Sequence, residues 1–291
     1  SVTDPYGGGN GKFGCELHSE EFELKQTYET EFKIVTRQSF DREVQAEYDV
    51  SVVCTDRGSP QQMARLPLVI SIQDENDHSP VFSQTEYSAS VAENGAIGQS
   101  VATVAAADAD AAANADVSYS LSHSHFSVAP KTGVISVLAP LERERRPLWR
   151  LPLVATDAGA PPRSATATVV VTVTDVDDNA PRFPQPRLTF TVRENAGAGA
   201  VVGTVTAHDA DSAGANSDVM YSLLSDDDAA FSLNQDSGVL TTARRLDREY
   251  KHTYTLTVMA SSPGNSNHGD EATVTVLVTD DNDNAPEILP H

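Results

Sequence analysis

Carboxylate and amide side chains are concentrated in three short runs that each end in proline, at positions 74–80, 175–181 and 280–286. They read Asp-Glu-Asn-Asp-His-Ser-Pro, Asp-Val-Asp-Asp-Asn-Ala-Pro and Asp-Asp-Asn-Asp-Asn-Ala-Pro. Two carboxylates about 4 Å apart repel by about 4 kcal/mol at an effective dielectric constant of about 20, so a fold that gathers them needs a cation to offset that cost. Oxygen ligands in excess, without a cluster of Cys and His, select calcium over zinc or copper. The runs therefore predict calcium binding.

The composition narrows the possible classes of partner. The chain has 291 residues, with 42 Asp and Glu against 20 Lys and Arg, and a formal net charge of −22. A nucleic-acid partner is not expected, because neutralising phosphates requires Lys and Arg. The sequence contains no apolar run of about 18 residues, the length needed for a transmembrane helix. Its first residues lack the basic and apolar regions of a signal peptide.

The acidic runs belong to an internal repeat. They begin 101 and 105 residues apart, and Glu93 and Asp108 recur 101 residues later as Glu194 and Asp209. A fixed period of this kind indicates tandem modules, which we place at 1–80, 81–182 and 183–291. We expect the first module to lack roughly its first 20–25 residues, so that the chain is a segment cut from a longer protein.

Within each module, apolar and polar residues alternate with a period of two. Tyr254, Leu256, Val258 and Ala260 are predicted to face one side of a strand, and the residues between them the other. Turn signals rich in Gly, Pro and Asp separate such runs. Short alternating strands between turns are typical of an all-β sandwich, and no long helical period is present.

Several motifs at this spacing resemble the extracellular repeats of cadherins. They are Asp-x-Asn-Asp-Asn-x-Pro at 280–286, Leu-Asp-Arg-Glu at 246–249, Ala-x-Asp-Ala-Asp at 207–211, and Glu-Asn at 93–94 and 194–195. The sequences at 40–43 and 54–60 are most like the protocadherin branch. The resemblance implies an all-β fold of tandem Greek-key, seven-stranded β-sandwich repeats joined by calcium-binding linkers. It also implies about three calcium ions at each complete junction, each with roughly 6–8 oxygen ligands.

The resemblance also implies three sets of metal ligands, which we call the first, second and third clusters. The first cluster comprises Asp41, Glu43, Asp74, Glu75, Asn76, Asp77, His78, Asp108, Asp110, Asn114 and Asp157. The second comprises Glu93, Glu142, Glu144, Asp175, Val176, Asp177, Asp178, Asn179, Asp209, Asp211 and Asn216. The third comprises Glu194, Asp247, Glu249, Asp280, Asp281, Asn282, Asp283 and Asn284. Backbone carbonyl oxygens are the expected ligands at Glu75, His78, Asn114, Val176, Asn179 and Asn216.

The clusters depart from the family pattern at a few positions. The first is expected to lack the Glu that precedes Asp41 in a complete repeat, and so to hold two of its ions more weakly. His78 stands where Asn is usual, at a position that donates only its carbonyl oxygen. Ser262 replaces the usual Asp of the second cluster, whereas Asp177 replaces the usual Asn. Because both positions ligate the same ion in the family, we hypothesise that Asp177 compensates for Ser262. Glu142 replaces an Asp and is expected to remain a ligand.

The function implied by the resemblance is calcium-dependent cell–cell adhesion through the same or a related cadherin ectodomain on the facing cell. Calcium would rigidify the linkers, and the parent protein would be anchored in the plasma membrane with this part outside the cell. The alternative is a calcium-stiffened spacer of a long cadherin without its own recognition surface. Exposed apolar side chains such as Phe190 or Tyr87 would favour recognition if packing does not explain them. No catalytic role is expected.

The two cysteines, Cys15 and Cys54, align with Tyr119 and Ala155 of the second module and with Tyr221 and Ala260 of the third. The alternation places both on core-facing positions of strands that are neighbours in a cadherin-like sandwich. A disulfide in an oxidising compartment and two reduced core thiols are both compatible with the sequence.

Overall fold

The computed structural model describes residues 1–4, 12–211, 216–226, 228–263 and 265–285. Strands are the regular secondary structure of these residues, and none of them forms a helix long and apolar enough to cross a membrane. The strands are β1 Phe13–Leu17, β2 Phe22–Tyr28, β3 Glu31–Thr36, β4 Glu47–Asp56, β5 Met63–Ser71, β6 Val81–Phe82, β7 Glu86–Ala92, β8 Ser100–Thr103, β9 Ala106–Ala107, β10 Ser118–Ser120, β11 Phe126–Val128, β12 Val134–Val137, β13 Leu148–Thr156, β14 Ser164–Thr174, β15 Arg187–Arg193, β16 Val201–Thr204, β17 Met220–Asp226, β18 Phe231–Leu233, β19 Val239–Thr242, β20 Thr253–Ser262 and β21 Asn265–Thr279.

The strands form small sheets whose order recurs along the chain. The larger sheets run β1-β4-β5, β10-β13-β14-β7 and β15-β21-β20-β17. The smaller ones run β2-β3, β6-β9, β11-β12-β8 and β16-β19-β18. Paired sheets of this kind, repeated along the chain, confirm the prediction of tandem β-sandwiches.

The chain divides into two compact units, of which one contains Ser1–Tyr87, Ala102–Ser136 and Leu151–Val169. In its N-terminal part, Phe22, Phe40 and Tyr48 pack together with ring centroids 5.0–5.5 Å apart. Cys15 and Cys54 lie opposite each other on β1 and β4 and form a disulfide. The sequence left this pairing open, and the register decides it. Both cysteines are half-buried rather than core residues, which corrects the expectation for their burial.

Strand β5 of this unit is exposed along most of its length. Met63, Leu66 and Val69 are 70%, 57% and 62% exposed, and β5 pairs with β4 on one side only among the described residues. The corresponding β21 of the third module lies between two neighbours, β15 and β20. Both edges of β21 are therefore paired, whereas among the described residues no strand pairs with the outer edge of β5.

The other unit contains Ser88–Val101, Val137–Arg150 and Val170–His291. Its core is built from the inward residues of β20 and β21, because every second side chain of a strand points to the same face. Tyr254, Leu256, Val258 and Ala260 are each at most 1% exposed, as the alternation predicts. Gly238 has a positive φ of 66°, and a Cβ there would lie 2.2 Å from the carbonyl oxygen of Val205. The hairpin that leads into β19 therefore requires glycine.

Candidate metal centres

Six carboxylates are buried among the described residues, with exposures of only 2–7%. They are Glu93, Asp110, Asp157, Glu194, Asp209 and Asp211. Asp and Glu are almost never fully buried unless they are paired or bind a metal. All six are among the predicted ligands of the three clusters, so the fold buries predicted ligands from each cluster.

In the first cluster, the acidic run approaches the loops that flank β9, β10 and β13. Asp74 Oδ2 accepts hydrogen bonds from Asn114 Nδ2 at 2.9 Å and from the Ala111 backbone N–H at 3.0 Å. Asn76 Nδ2 donates to the Pro161 carbonyl oxygen at 2.6 Å and to Asp157 Oδ1 at 3.4 Å. The side chains of Asp74 and Asn76 thus tie the acidic run to both backbone and side-chain groups of the following repeat.

Gly159 makes this approach possible. A Cβ at Gly159 would lie 2.3 Å from Asn76 Nδ2 and 2.4 Å from its Cγ. Any larger residue would therefore push the linker side chain away. Nothing in the local sequence indicates a role for Gly159, because that role depends on a contact with a residue 83 positions away along the chain.

The second cluster is organised by one buried glutamate. Glu93 Oε2 accepts the backbone N–H of Arg143 at 2.7 Å, and Oε1 accepts that of Val176 at 2.9 Å. One carboxylate therefore joins the turn after β12 to the acidic run after β14. Hydrogen bonds between a carboxylate and N–H donors are among the stronger ones in proteins.

The remaining contacts of the second cluster repeat those of the first. Asn216 Nδ2 donates to Asp175 Oδ2 at 2.8 Å, as Asn114 does to Asp74. Asn179 donates from its backbone N–H to Asp211 Oδ2 at 3.3 Å and from Nδ2 to Asp211 Oδ1 at 2.7 Å. Glu142 is exposed on the surface.

The third cluster has the same glutamate arrangement. Glu194 Oε2 accepts the Arg248 backbone N–H at 2.9 Å, and Oε1 accepts that of Asp281 at 2.6 Å. Carboxylate oxygens of Glu194, Asp247 and Glu249 lie within 4.8 Å of one another.

The asparagine after each buried glutamate completes this arrangement. Asn94 and Asn195 have positive φ values of 55° and 61°, a conformation that Asn tolerates better than most residues. Asn94 Nδ2 donates to Asp178, and Asn195 Nδ2 donates to Asp283 Oδ2 at 2.7 Å. The Glu-Asn pair thus holds both the backbone and an acidic side chain of the following run.

Each of the three clusters also contains an arginine that is not among its predicted ligands. Arg42 Nη1 lies 3.0 Å from Asp74 Oδ1 and 3.0 Å from Glu43 Oε1. Arg143 pairs with Asp175 and, at 2.6 Å, with Glu144. Arg248 Nη1 lies 3.2 Å from Asp280 Oδ1. In each case the guanidinium contacts carboxylates that are predicted metal ligands, so it would compete with a bound cation for the same oxygens.

Replacing Arg143 with glutamine is therefore expected to tighten calcium binding at the second cluster. The expected change is about five- to tenfold, since it removes roughly 1 kcal/mol of repulsion between the guanidinium and a divalent ion. Calorimetric calcium titration measures it. Arg145→Gln removes the same charge from an exposed side chain on the same turn and is the control. A loss of affinity in Arg143→Gln would mean that the guanidinium orients the carboxylates instead.

The chemistry of the donors fits a hard divalent cation. Asp108 Oδ2 and Asp209 Oδ2 are buried and accept no hydrogen bond from the residues that the structure describes. Oxygens of Glu144, Asp175 and Asp211 lie within 4.8 Å of one another, as do those of Glu93, Glu144 and Asp178. Such groups of carboxylate and carbonyl oxygens are the ligands that calcium prefers.

The pKa shifts of two carboxyl groups show that the clusters disfavour negative charge. Burial raises the pKa of Asp209 above its usual value, and the nearby charges of Asp211 and Asp177 add to that effect. Burial also raises the pKa of Glu144, and the neighbouring Glu93 raises it further. Both carboxyl groups would be stabilised in their ionised form by a bound cation.

Asp157 and Ser262 occupy equivalent places at the ends of β13 and β20 but differ in their surroundings. Burial acts to raise the pKa of Asp157, but the backbone N–H groups of Arg163 and Gly159 outweigh it and lower the pKa overall. Ser262 is 1% exposed, and its Oγ has no hydrogen-bond partner among the described residues. The hydroxyl therefore brings no charge to the second cluster.

Comparison with known proteins decides the family. The model of the cadherin domain matches residues 87–174 and 188–279, more than half of the chain. The chain belongs to the cadherin family. The match confirms the family and the fold that the motifs indicated, and the ligand sets of the three clusters stay predictions.

Individual cadherins are similar over nearly the whole chain. Protein dachsous of Drosophila melanogaster is 36% identical over 88% of this chain, and human protocadherin-7 is 35% identical over 99%. The chain spans only 8% and 28% of the lengths of these two relatives.

Solved cadherin structures have the same fold. Mouse cadherin-23 EC22-24 has a TM-score of 0.80 at 33% identity, covering 96% of this chain and 90% of that one. A protocadherin gammaB7 EC3-6 cis-dimer structure has a TM-score of 0.74 at 32% identity, covering 93% and 69%.

Proposed function

We propose that this chain is part of an extracellular cadherin ectodomain that mediates calcium-dependent cell–cell adhesion. The observation that carries the proposal is the convergence of predicted carboxylate ligands, several of them buried, on the acidic runs. The parent protein would be anchored in the plasma membrane, with the repeats at 1–80, 81–182 and 183–291 outside the cell. Family membership supports this placement.

Calcium would act as a structural ion at the clusters. It supplies positive charge and coordination by roughly 6–8 oxygens per ion, which neutralises carboxylates that would otherwise repel one another. In the second cluster, Glu93 already fixes the Arg143 and Val176 backbones, so binding an ion there would order the run at 175–179 against Asp209 and Asp211. We propose about three ions for a complete cluster, and a rigid linker as the result.

The affinity of these sites would suit the extracellular medium. Extracellular calcium modules have dissociation constants of about 10⁻⁴–10⁻³ M. At about 2 mM free calcium, each ion bound with such an affinity would stabilise the folded state by about 0.6–1.8 kcal/mol. Removing calcium would therefore loosen the linkers before it unfolds the repeats.

Asp177 would compensate for Ser262 in the second cluster. Its charge contributes to the raised pKa of Asp209, which supports its proximity to the predicted ligands. Asp177→Asn is expected to weaken calcium binding there by about tenfold, equivalent to about 1.4 kcal/mol. Calorimetric titration measures the change. Asp218→Asn, which removes an exposed carboxylate outside the predicted ligand set, is the control. Equal affinities in Asp177→Asn and the unmodified chain would refute the compensation.

The proposed partner is the same or a related cadherin ectodomain on an opposing cell. The gammaB7 neighbour is described as a cis-dimer, which supports association between ectodomains of this kind. The alternative is a calcium-stiffened spacer without a recognition surface. Packing accounts for Tyr87, which is 8% exposed, and for Phe190, which packs against the core. These two side chains therefore do not favour recognition over the spacer.

Sedimentation equilibrium of this chain in millimolar calcium, and again with a chelator, tests the proposal. A dimer that dissociates on chelation is the expected result and would place a homophilic surface within these repeats. A monomer in both conditions would favour the spacer. Calcium titration of the same samples separates the two parts of the proposal, because a chain that binds no calcium would contradict both.

A further inference from the structure

His78 gives the first cluster an imidazole, a type of metal ligand that is absent from the predicted ligands of the second and third clusters. Its Nδ1 lies 2.7 Å from Asp77 Oδ1 and 2.9 Å from Asp110 Oδ1. Donor atoms of Glu43, Asp77, His78 and Asp110 all lie within 4.8 Å of one another. An imidazole nitrogen and three carboxylates thus converge on one point.

The second cluster provides an internal comparison, because Asn179 occupies the corresponding position. The backbone N–H of His78 donates to Asp110 Oδ2 at 3.2 Å, and that of Asn179 donates to Asp211 Oδ2 at 3.3 Å. The backbone is thus held in the same way. The side chains differ: Asn179 Nδ2 donates to Asp178 and Asp211, and an amide nitrogen is not a metal ligand. His78 places a nitrogen that can ligate a metal at that point.

The ligand distances are close to those of a tetrahedral zinc site. Zinc binds histidine nitrogen at about 2.0–2.1 Å and carboxylate oxygen at about 2.0–2.2 Å, which separates two tetrahedral ligands by about 3.3 Å. The present separations of 2.7 and 2.9 Å need an increase of about half an ångström. The side chains of Asp77 and His78 are 62% and 42% exposed and have room to move. Asp110, with a side-chain exposure of 0%, is the fixed ligand.

The mixed donor set also changes which metal is preferred. Oxygen donors alone suit calcium and magnesium, whereas imidazole suits zinc, copper and nickel. Three carboxylates give the group a charge of about −3, which a divalent ion offsets in part, while the imidazole supplies selectivity against calcium.

We propose that His78, Asp77, Asp110 and Glu43 form a binding site for zinc. All four of these residues belong to the first cluster, so zinc and calcium would compete there. The part of the inference that concerns competition rests on the proposed calcium binding. Zinc binding itself depends only on the grouping of these four side chains. Zinc would thus act selectively on the first cluster and leave the second to calcium.

The test is a zinc titration of the full chain, stripped of metals, by calorimetry and by the visible absorption of Co²⁺ as a zinc substitute. The unmodified chain is expected to bind one zinc ion. His78→Asn is expected to bind zinc at least about tenfold more weakly, which is the lower end of the loss in metal affinity when residues that support metal ligands are changed. His78→Asn introduces the residue that the second cluster already carries at the corresponding position, so it removes the imidazole and keeps the backbone carbonyl oxygen. His18→Asn, at an exposed histidine, controls for adventitious binding to surface imidazoles.

A reciprocal variant keeps the proposal falsifiable if His78→Asn folds poorly. Asn179→His is expected to add a second zinc equivalent at the second cluster. Equal zinc binding by the unmodified chain and His78→Asn, or no added equivalent in Asn179→His, would overturn the proposal. Normal calcium binding together with absent zinc binding would overturn only this inference, whereas loss of both would also contradict the proposed function.

Discussion

Replacing Glu93 with glutamine is expected to lower the free energy of unfolding by about 2–3 kcal/mol, even with calcium chelated. Glu93 is 2% exposed and accepts the backbone N–H groups of Arg143 and Val176 on its two oxygens. Glutamine has one acceptor oxygen, so its NH₂ group would face one of these donors and leave it unsatisfied in a buried place. The same change removes a predicted calcium ligand, and calcium affinity at the second cluster is expected to fall by more than about tenfold.

Two measurements separate these effects. Denaturant unfolding in chelator reports the lost hydrogen bond, and calcium titration reports the lost ligand. Glu271→Gln, on the exposed face of β21, makes the same chemical change without either contact and is expected to have no effect. If Glu93→Gln unfolded at the same denaturant concentration in chelator, the glutamate would not hold the turn and the acidic run together.

Removing the disulfide with Cys15→Ser and Cys54→Ser together is expected to destabilise the N-terminal part of the chain by about 4 kcal/mol. The estimate follows from the loss of a crosslink between residues 39 positions apart, which restricts the unfolded chain. This part has few other buried contacts, because Phe22 and Val50 are its only buried aliphatic or aromatic residues among those described up to position 80. The equivalent positions of the third module pair Tyr221 with Ala260, both buried, so packing replaces the crosslink there.

Thermal unfolding of the double variant is expected to show an early transition that the unmodified chain lacks. Adding a thiol reductant to the unmodified chain is the matched control and should produce the same early transition. A single transition at the original temperature in both cases would mean that the aromatic contacts among Phe22, Phe40 and Tyr48 suffice without the disulfide.

The sequence predicts the fold and the family well for a physical reason. Alternation with a period of two dictates which side chains face inward, and β20 follows it from Tyr254 to Ala260. The repeat spacing also aligns Cys15 with Tyr221 and Cys54 with Ala260. The structure pairs Cys15 with Cys54 and Tyr221 with Ala260 on neighbouring strands, as this alignment predicts.

The parts that the sequence did not predict depend on side-chain direction and on distant contacts. In the sequence, Arg42, Arg143 and Arg248 each lie between two acidic residues. The sequence does not show whether such an arginine side chain points to solvent or to the neighbouring carboxylates. Gly159 matters because Asn76 lies against it, and nothing in its local sequence indicates that. A signal was present for the arginines, since each follows an Asp or Glu and precedes a Glu at the repeat spacing.

The parallel pairing of β15 with β21 determines how the third repeat would respond to mechanical tension. Residues Arg187–Arg193 lie in register with Thr273–Thr279, so the first and last strands of the repeat run in the same direction side by side. A force that pulls the two ends of the repeat apart would slide these strands past each other and load the evenly spaced hydrogen bonds of the parallel ladder together. Shear of this kind requires many bonds to break at once, whereas peeling from one end breaks them singly. The repeat is therefore built to resist stretching along its strands.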